Sequence, residues 1–145
     1  MDEAMTCDET LDRIDAHQQV IRQLVSAARL HTDRPAADAT ADLLTLRTRM
    51  LTAMRAYQAF KHTAVFDPVI ATAHPLRAVT ARRLKASCVM ASEAYRLHTT
   101  RWPADRIAAE WTDYAEAMDS VCLAIEKHLG EERVMVTMLL AGTEE

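Results

Sequence analysis

Apolar residues recur along this chain at intervals of three and four, the spacing that places them on one face of an α-helix. Thr6-Cys7-Asp8-Glu9 supplies capping oxygens and an acidic first turn. Leu11, Ile14, His17, Ile21, Leu24 and Ala28 then mark the inner stripe of a helix over about 8–31. Asp33-Arg34-Pro35 ends that helix and starts the next, because Pro is tolerated in a first turn. The second helix, about 36–66, carries Leu43, Leu46, Met50, Met54, Tyr57 and Lys61. Phe66-Asp67-Pro68 and His74-Pro75 bracket a connection with room for one short helical turn, since a residue before Pro is pushed out of the helical region.

The third helix is expected over about 75–99, with Leu76, Val79, Arg83, Ala86, Met90 and Leu97 facing inward. Trp102-Pro103 opens the fourth, about 104–140, which has the strongest pattern in the chain. Ile107, Trp111, Tyr114, Met118, Val121, Ile125, His128, Glu132, Met135 and Leu139 alternate spacings of four and three without a break. That is the a/d seam of a helix packed at about 20° to its neighbours. Gly130 lies inside it and costs about 1 kcal/mol relative to Ala, so a bend or a close neighbour is expected there.

Composition narrows the fold further. Half of the 145 residues are apolar, 5% are aromatic, and there are two Gly and four Pro, which leaves little material for sheets and tight hairpins. The length suits one domain over 1–145 with a core of its own. Four long helices joined by short connections make antiparallel neighbours the simplest topology, an all-α, up-down-up-down four-helix bundle.

A net charge of −4 gives no electrostatic reason to expect nucleic acid, and Arg82-Arg83 with Lys85 is too small a basic cluster to supply one. Cys7, Cys88 and Cys122 form no C-x-x-C pair and leave an odd thiol, which suits a reducing, cytoplasmic setting with two core thiols and one near the terminus. No apolar run reaches the roughly 18 residues needed to span a bilayer, so no membrane partner is expected. Neither a nucleophile with its base nor a phosphate loop stands out, and the chain is not expected to be an enzyme.

Candidate chemistry lies in the polar residues on the apolar stripes. His17 follows Ile14 by three and precedes Ile21 by four, so it shares their direction. His128 and Glu132, four apart, project from one helical face and are placed to chelate one ion or to share a bridged pair. Gln58 and His62 repeat that spacing on the second helix. Counted from the expected helix ends, His17, Gln58, Arg83 and Glu132 share a layer about 12–14 Å from one end of the bundle. His31, His74 and His98 sit at helix ends, where capping or solvation is their ordinary role.

With a His early in the first helix at His17, an aromatic-x-Pro corner at Phe66-Asp67-Pro68, and H-x-x-x-E at His128 and Glu132, the chain resembles the hemerythrin-like, or HHE cation-binding, family over nearly its whole length. The resemblance implies a four-helix bundle around a non-haem di-iron centre that binds or senses oxygen or handles iron. Histidines would be terminal ligands and carboxylates would bridge. The pattern is incomplete: the second helix offers Gln58 and His62 where the family has H-x-x-x-E, and the third-helix His position falls near Arg82-Arg83.

Two expectations follow from that resemblance. One is a single Fe or Zn ion, in an oxygen, redox or iron-sensing role, held by His128, Glu132, His17 and His62 with Gln58 in support. The other is a metal-free regulatory or interaction module in which Arg83 sets its guanidinium against Glu132 where iron once sat. A third class, histidine phosphotransfer, also uses a helical bundle, but the seam position of His128 opposes the exposure that chemistry needs.

Overall fold

Thr6 starts the first helix as its position suggests. Its backbone is extended, and its side-chain oxygen accepts from the Glu9 N–H at 3.1 Å. The computed structural model of the chain describes residues 5–72 and 74–141. The expected domain over 1–145 therefore reaches a few residues outside that description. The described residues form α1 (Cys7–Thr32), α2 (Ala36–Lys61), a π-helical turn (His62–Phe66), α3 (Asp67–Ile70), α4 (Pro75–Arg101), α5 (Ala104–Ala109) and α6 (Trp111–Ala141), with no strand among them. The protein is all-α.

The second helix does not stop at its Pro corner. Pro68 has no N–H to give the carbonyl four residues back, and its ring would crowd that carbonyl in a regular helix. The chain widens instead into the π-turn, where the Asp67 N–H reaches the His62 carbonyl five residues back, and α3 follows directly. The expected fourth helix is divided by a kink at Glu110, whose backbone leaves the helical region at φ −123°, ψ 53°. Ile107 and Trp111 are four apart on either side, so the apolar spacing carries no trace of the kink. Gly130 also departs from expectation: nothing lies within 4 Å of where a Cβ would stand.

Neighbouring long helices run antiparallel. Between α1 and α6, Asp15 meets Arg133 at 2.6 Å and Arg29 meets Glu126 at 3.3 Å. Between α2 and α4, Ser92 donates to Gln58 at 2.7 Å, while Lys85 pairs with Asp67 of α3 at 2.7 Å. Between α4 and α6, Arg77 donates to the Leu139 carbonyl at 3.2 Å and His98 stacks near Tyr114 at the other end. The core between them is built from Ile14, Ile21 and Val25 of α1, Leu43, Met50 and Tyr57 of α2, and Tyr114, Ile125 and Val136 of α6.

Helix α4 contributes to that core through an unexpected face. Its buried residues are Ala78, Ala81, Cys88, Tyr95 and His98. The stripe expected inside is outside: Leu76 is 85% exposed, Met90 72% and Leu97 46%, and Arg83 and Ala86 are exposed with them. Small side chains at Ala78 and Ala81 let α4 close onto cores already filled by the larger residues of its neighbours. His98, expected as a solvated helix-end residue, is instead buried between the rings of Tyr95 and Tyr114 at 6.0 and 6.1 Å.

Candidate functional site

One ionic pair lies inside this core. Tyr57 and Lys61 are one helical turn apart on the buried face of α2, and His128 and Glu132 are one turn apart on α6. Lys61 Nζ donates to both Glu132 oxygens, at 2.8 Å to Oε1 and 2.9 Å to Oε2, and each side chain is only 3% exposed. The same ammonium stands 3.8 Å from the centre of the Tyr57 ring, where the negative face of the ring favours a cation. The long aliphatic stem of Lys61 packs on the α2 stripe while its charge is consumed inside.

A polar network surrounds the pair. Gln18 of α1, 4% exposed, donates to the Tyr57 hydroxyl at 2.9 Å and to the Leu129 carbonyl at 3.0 Å, tying three helices together. Tyr57 in turn donates toward Glu132, and His128 Nε2 lies 3.4 Å from Glu132 Oε2. Burial by itself raises the Glu132 carboxyl. Hydrogen bonding from His128, the charge and N–H groups of Lys61, and the Tyr57 hydroxyl outweigh it and hold the group at about 2 against an ordinary 4.5. Burial and the neighbouring Glu132 charge push the Tyr57 phenol far above its usual range, so it stays a neutral donor.

Beside this network a cavity of about 100 Å³ opens between α2, α4 and α6. Its walls are mostly apolar, with Lys61, Cys88, Gln58, Ser92 and His128 at its polar margin. Burial raises the Cys88 thiol, against an opposing pull from Lys61, which keeps that sulfur an inert, protonated lining group.

The expected site residues fare unequally. Glu132 is buried at the centre, and His128 leans on it while remaining 25% exposed. His17 is half-buried outside the network, stacked on Tyr57 and Phe60 with ring centroids 5.6 and 5.3 Å apart, and burial and the Lys61 charge lower its pKa. Its neighbour Gln18 takes the interior position. His62 sits on the π-turn beside Phe66, its Nε2 buried without a hydrogen-bond partner, and burial and Lys85 lower its pKa. Gln58 accepts from Ser92. Arg83 is exposed on the outer face of α4 and does not reach Glu132; the cation opposite that carboxylate is Lys61.

Lys61, Tyr57 and Gln18 are the residues that spacing alone did not single out for chemistry. The signal for Lys61 was present, since it falls four after Tyr57 on the α2 stripe. Gln18 is equally placed, with Ile14, Gln18, Ile21, Val25 and Ala28 forming an inner stripe one residue out of step with His17.

A resident divalent ion does not fit this donor set. Its anionic ligand would be Glu132, but both carboxylate oxygens already face an ammonium, and an ion beside them would sit against a like charge. Among the described residues, no three of His, Cys, Asp and Glu come together in a metal-holding group. No helix among them is long and apolar enough to cross a membrane. No family model matches the chain, and neither a curated protein nor a solved structure shows significant similarity to it.

Proposed function

We propose that this chain is a metal-free, hemerythrin-like up-down-up-down four-helix bundle that acts as a regulatory or protein-interaction module, neither carrying oxygen nor catalysing a reaction. The observation that carries the reading is the Lys61 ammonium on both oxygens of Glu132. A lysine tethered to α2 supplies permanently the positive charge that an ion would supply reversibly, so the interior carboxylate is neutralised without a cofactor. The antiparallel contacts of α1 with α6, α2 with α4 and α4 with α6 support the bundle topology.

The chemistry of the network favours the same conclusion. Every polar group at its centre is spent on another: Gln18 on Tyr57 and Leu129, Tyr57 and Lys61 on Glu132, and His128 Nε2 on the same carboxylate. Such a set positions helices and leaves no group poised to attack or to exchange a ligand. Titration calorimetry of the untagged protein with Fe(II) under anaerobic conditions, and with Zn(II), tests the reading. Heats of dilution alone are expected. Saturable stoichiometric binding, with an oxo-bridge absorption band after air is admitted to the iron sample, would overturn it.

A further inference from the structure

The face of α4 that points away from the core has the pattern of a helix seam. Leu76, Val79, Arg83, Ala86, Met90, Glu93 and Leu97 follow one another at alternating steps of three and four, and all are exposed. Val89 flanks them at 40% exposed. Leu76, Val79, Met90 and Leu97 therefore lie on one exposed face, with Val89 beside them, unlike the isolated surface hydrophobics that need no explanation.

Two charged residues interrupt the stripe, and their placement identifies what covers it. Arg83 and Glu93 are ten residues apart, about 15 Å along the helix, and lie equally far on either side of position 88. Laying a second α4 antiparallel across the first about a two-fold axis at that position sets Arg83 against Glu93 of the second copy. The same operation sets Val79 against Leu97 and Ala86 against Met90, each pair joining an a position to a d position as antiparallel coiled-coil packing requires. Ala86 is small where Met90 is large and Arg83 is positive where Glu93 is negative, while Leu76 falls opposite Thr100 at the end of the seam.

The free valences agree with that pairing. Arg96 donates through Nε and Nη2 to the same Glu93 oxygen, Oε2, at 3.1 and 2.7 Å, leaving Oε1 for another donor. Arg83 makes no hydrogen bond or ion pair among the described residues. We infer that the outer face of α4 is a homodimer interface, in which a second copy of this chain packs antiparallel with reciprocal Arg83–Glu93 contacts. The inference gives the interaction module a partner and rests on that reading only to this extent, because its readout is molecular mass and does not depend on metal content.

The helix is basic as a whole, so an anionic lipid surface is the rival occupant. An acidic residue inside the apolar stripe speaks against lipid, whereas in a paired seam it fixes register. One helix face supplies only part of the roughly 800 Å² per partner of a standard interface, so association is expected at about micromolar to tens of micromolar chain.

Sedimentation equilibrium of the full chain over that range tests the proposal. The expected result is a reversible two-chain species. Arg83→Glu and Glu93→Arg should each weaken it by about tenfold, since each converts two attractive contacts into repulsive ones. Mixing the two single variants should restore it, because opposite charges then meet at both contacts, and Met90→Glu should abolish it. All three positions are exposed, and matched circular dichroism establishes that each variant folds. A monomer at every concentration would overturn the proposal, as would a dimer indifferent to both charge reversals. So would a monomer that binds phosphatidylserine vesicles through this face.

Discussion

Lys61 on α2 and Glu132 on α6 form a bidentate ion pair at 2.8 and 2.9 Å with both side chains 3% exposed, so two helices are joined through charges withdrawn from water. The desolvation of both ions is costly, and the attraction between them offsets it only while both are present. Lys61→Ala or Glu132→Leu alone is therefore expected to lower stability by about 3–5 kcal/mol, by leaving an unpartnered charge. The double variant Lys61→Met with Glu132→Leu should lie within about 1 kcal/mol of wild type or above it. Urea unfolding of the four proteins checks both halves of this expectation.

Acid sensitivity should follow from the same carboxylate. Its pKa is depressed from 4.5 to about 2 in the folded chain, so the stability it contributes is complete above 4.5 and is lost as pH falls from there toward 2. Glu132→Gln should flatten that limb of the stability curve, read as the urea midpoint at successive pH values. An unchanged acid limb would place the titrating group elsewhere.

His98 adds a separate dependence at higher pH. It is 7% exposed, its Nε2 has no hydrogen-bond partner, and burial, with the charges of Arg47 and Arg101, lowers its pKa from 6.5 to about 4. The unfolded chain takes up this proton first, so stability should fall as pH drops from 6.5 toward 4. His98→Phe keeps a ring between Tyr95 and Tyr114 and should remove that fall, which thermal melts between pH 7 and pH 4 would reveal.

Gly130→Ala should stabilise the protein. The residue lies within α6, its φ is not positive, and a Cβ there meets nothing within 4 Å, so helix propensity acts alone and contributes about 0.4–1 kcal/mol. A melting temperature at or below that of wild type would contradict this account.

Gln18→Leu should cost about 1–3 kcal/mol, because it leaves the buried Tyr57 hydroxyl without its donor. Combining it with Tyr57→Phe should cost less than the sum of the two single changes, since the hydroxyl that Gln18 served is then gone although Glu132 loses a donor as well. Denaturant unfolding of the two single variants and the double variant measures the coupling.

The elements of this fold were legible in the sequence wherever caps, prolines and apolar spacing agreed. Thr6, Pro35, Pro75 and Pro103 stand at or beside the first residue of the helices they mark. Spacing finds a stripe but does not say which face meets the core, and on α4 the larger apolar residues lie outside while alanines lie inside. The kink at Glu110 was invisible because its flanking seam residues keep a spacing of four across it.

The site was legible in part for a related reason. His128 and Glu132 follow from their spacing, but lysine is ordinarily an exposed residue, and only the match between Lys61 on α2 and a carboxylate on a distant helix explains its burial. That match is a tertiary fact. Arg83, a more obvious cation by position, lies on the face of α4 that turned outward.

The most direct measurement is the metal content of the untagged chain expressed with added iron and zinc, set beside that of Lys61→Ala. An interior cation supplied by the protein itself predicts no stoichiometric metal in wild type, whether or not removing the ammonium opens Glu132 to an ion. Two irons per wild-type chain, or one iron or zinc lost on Glu132→Ala, would contradict it.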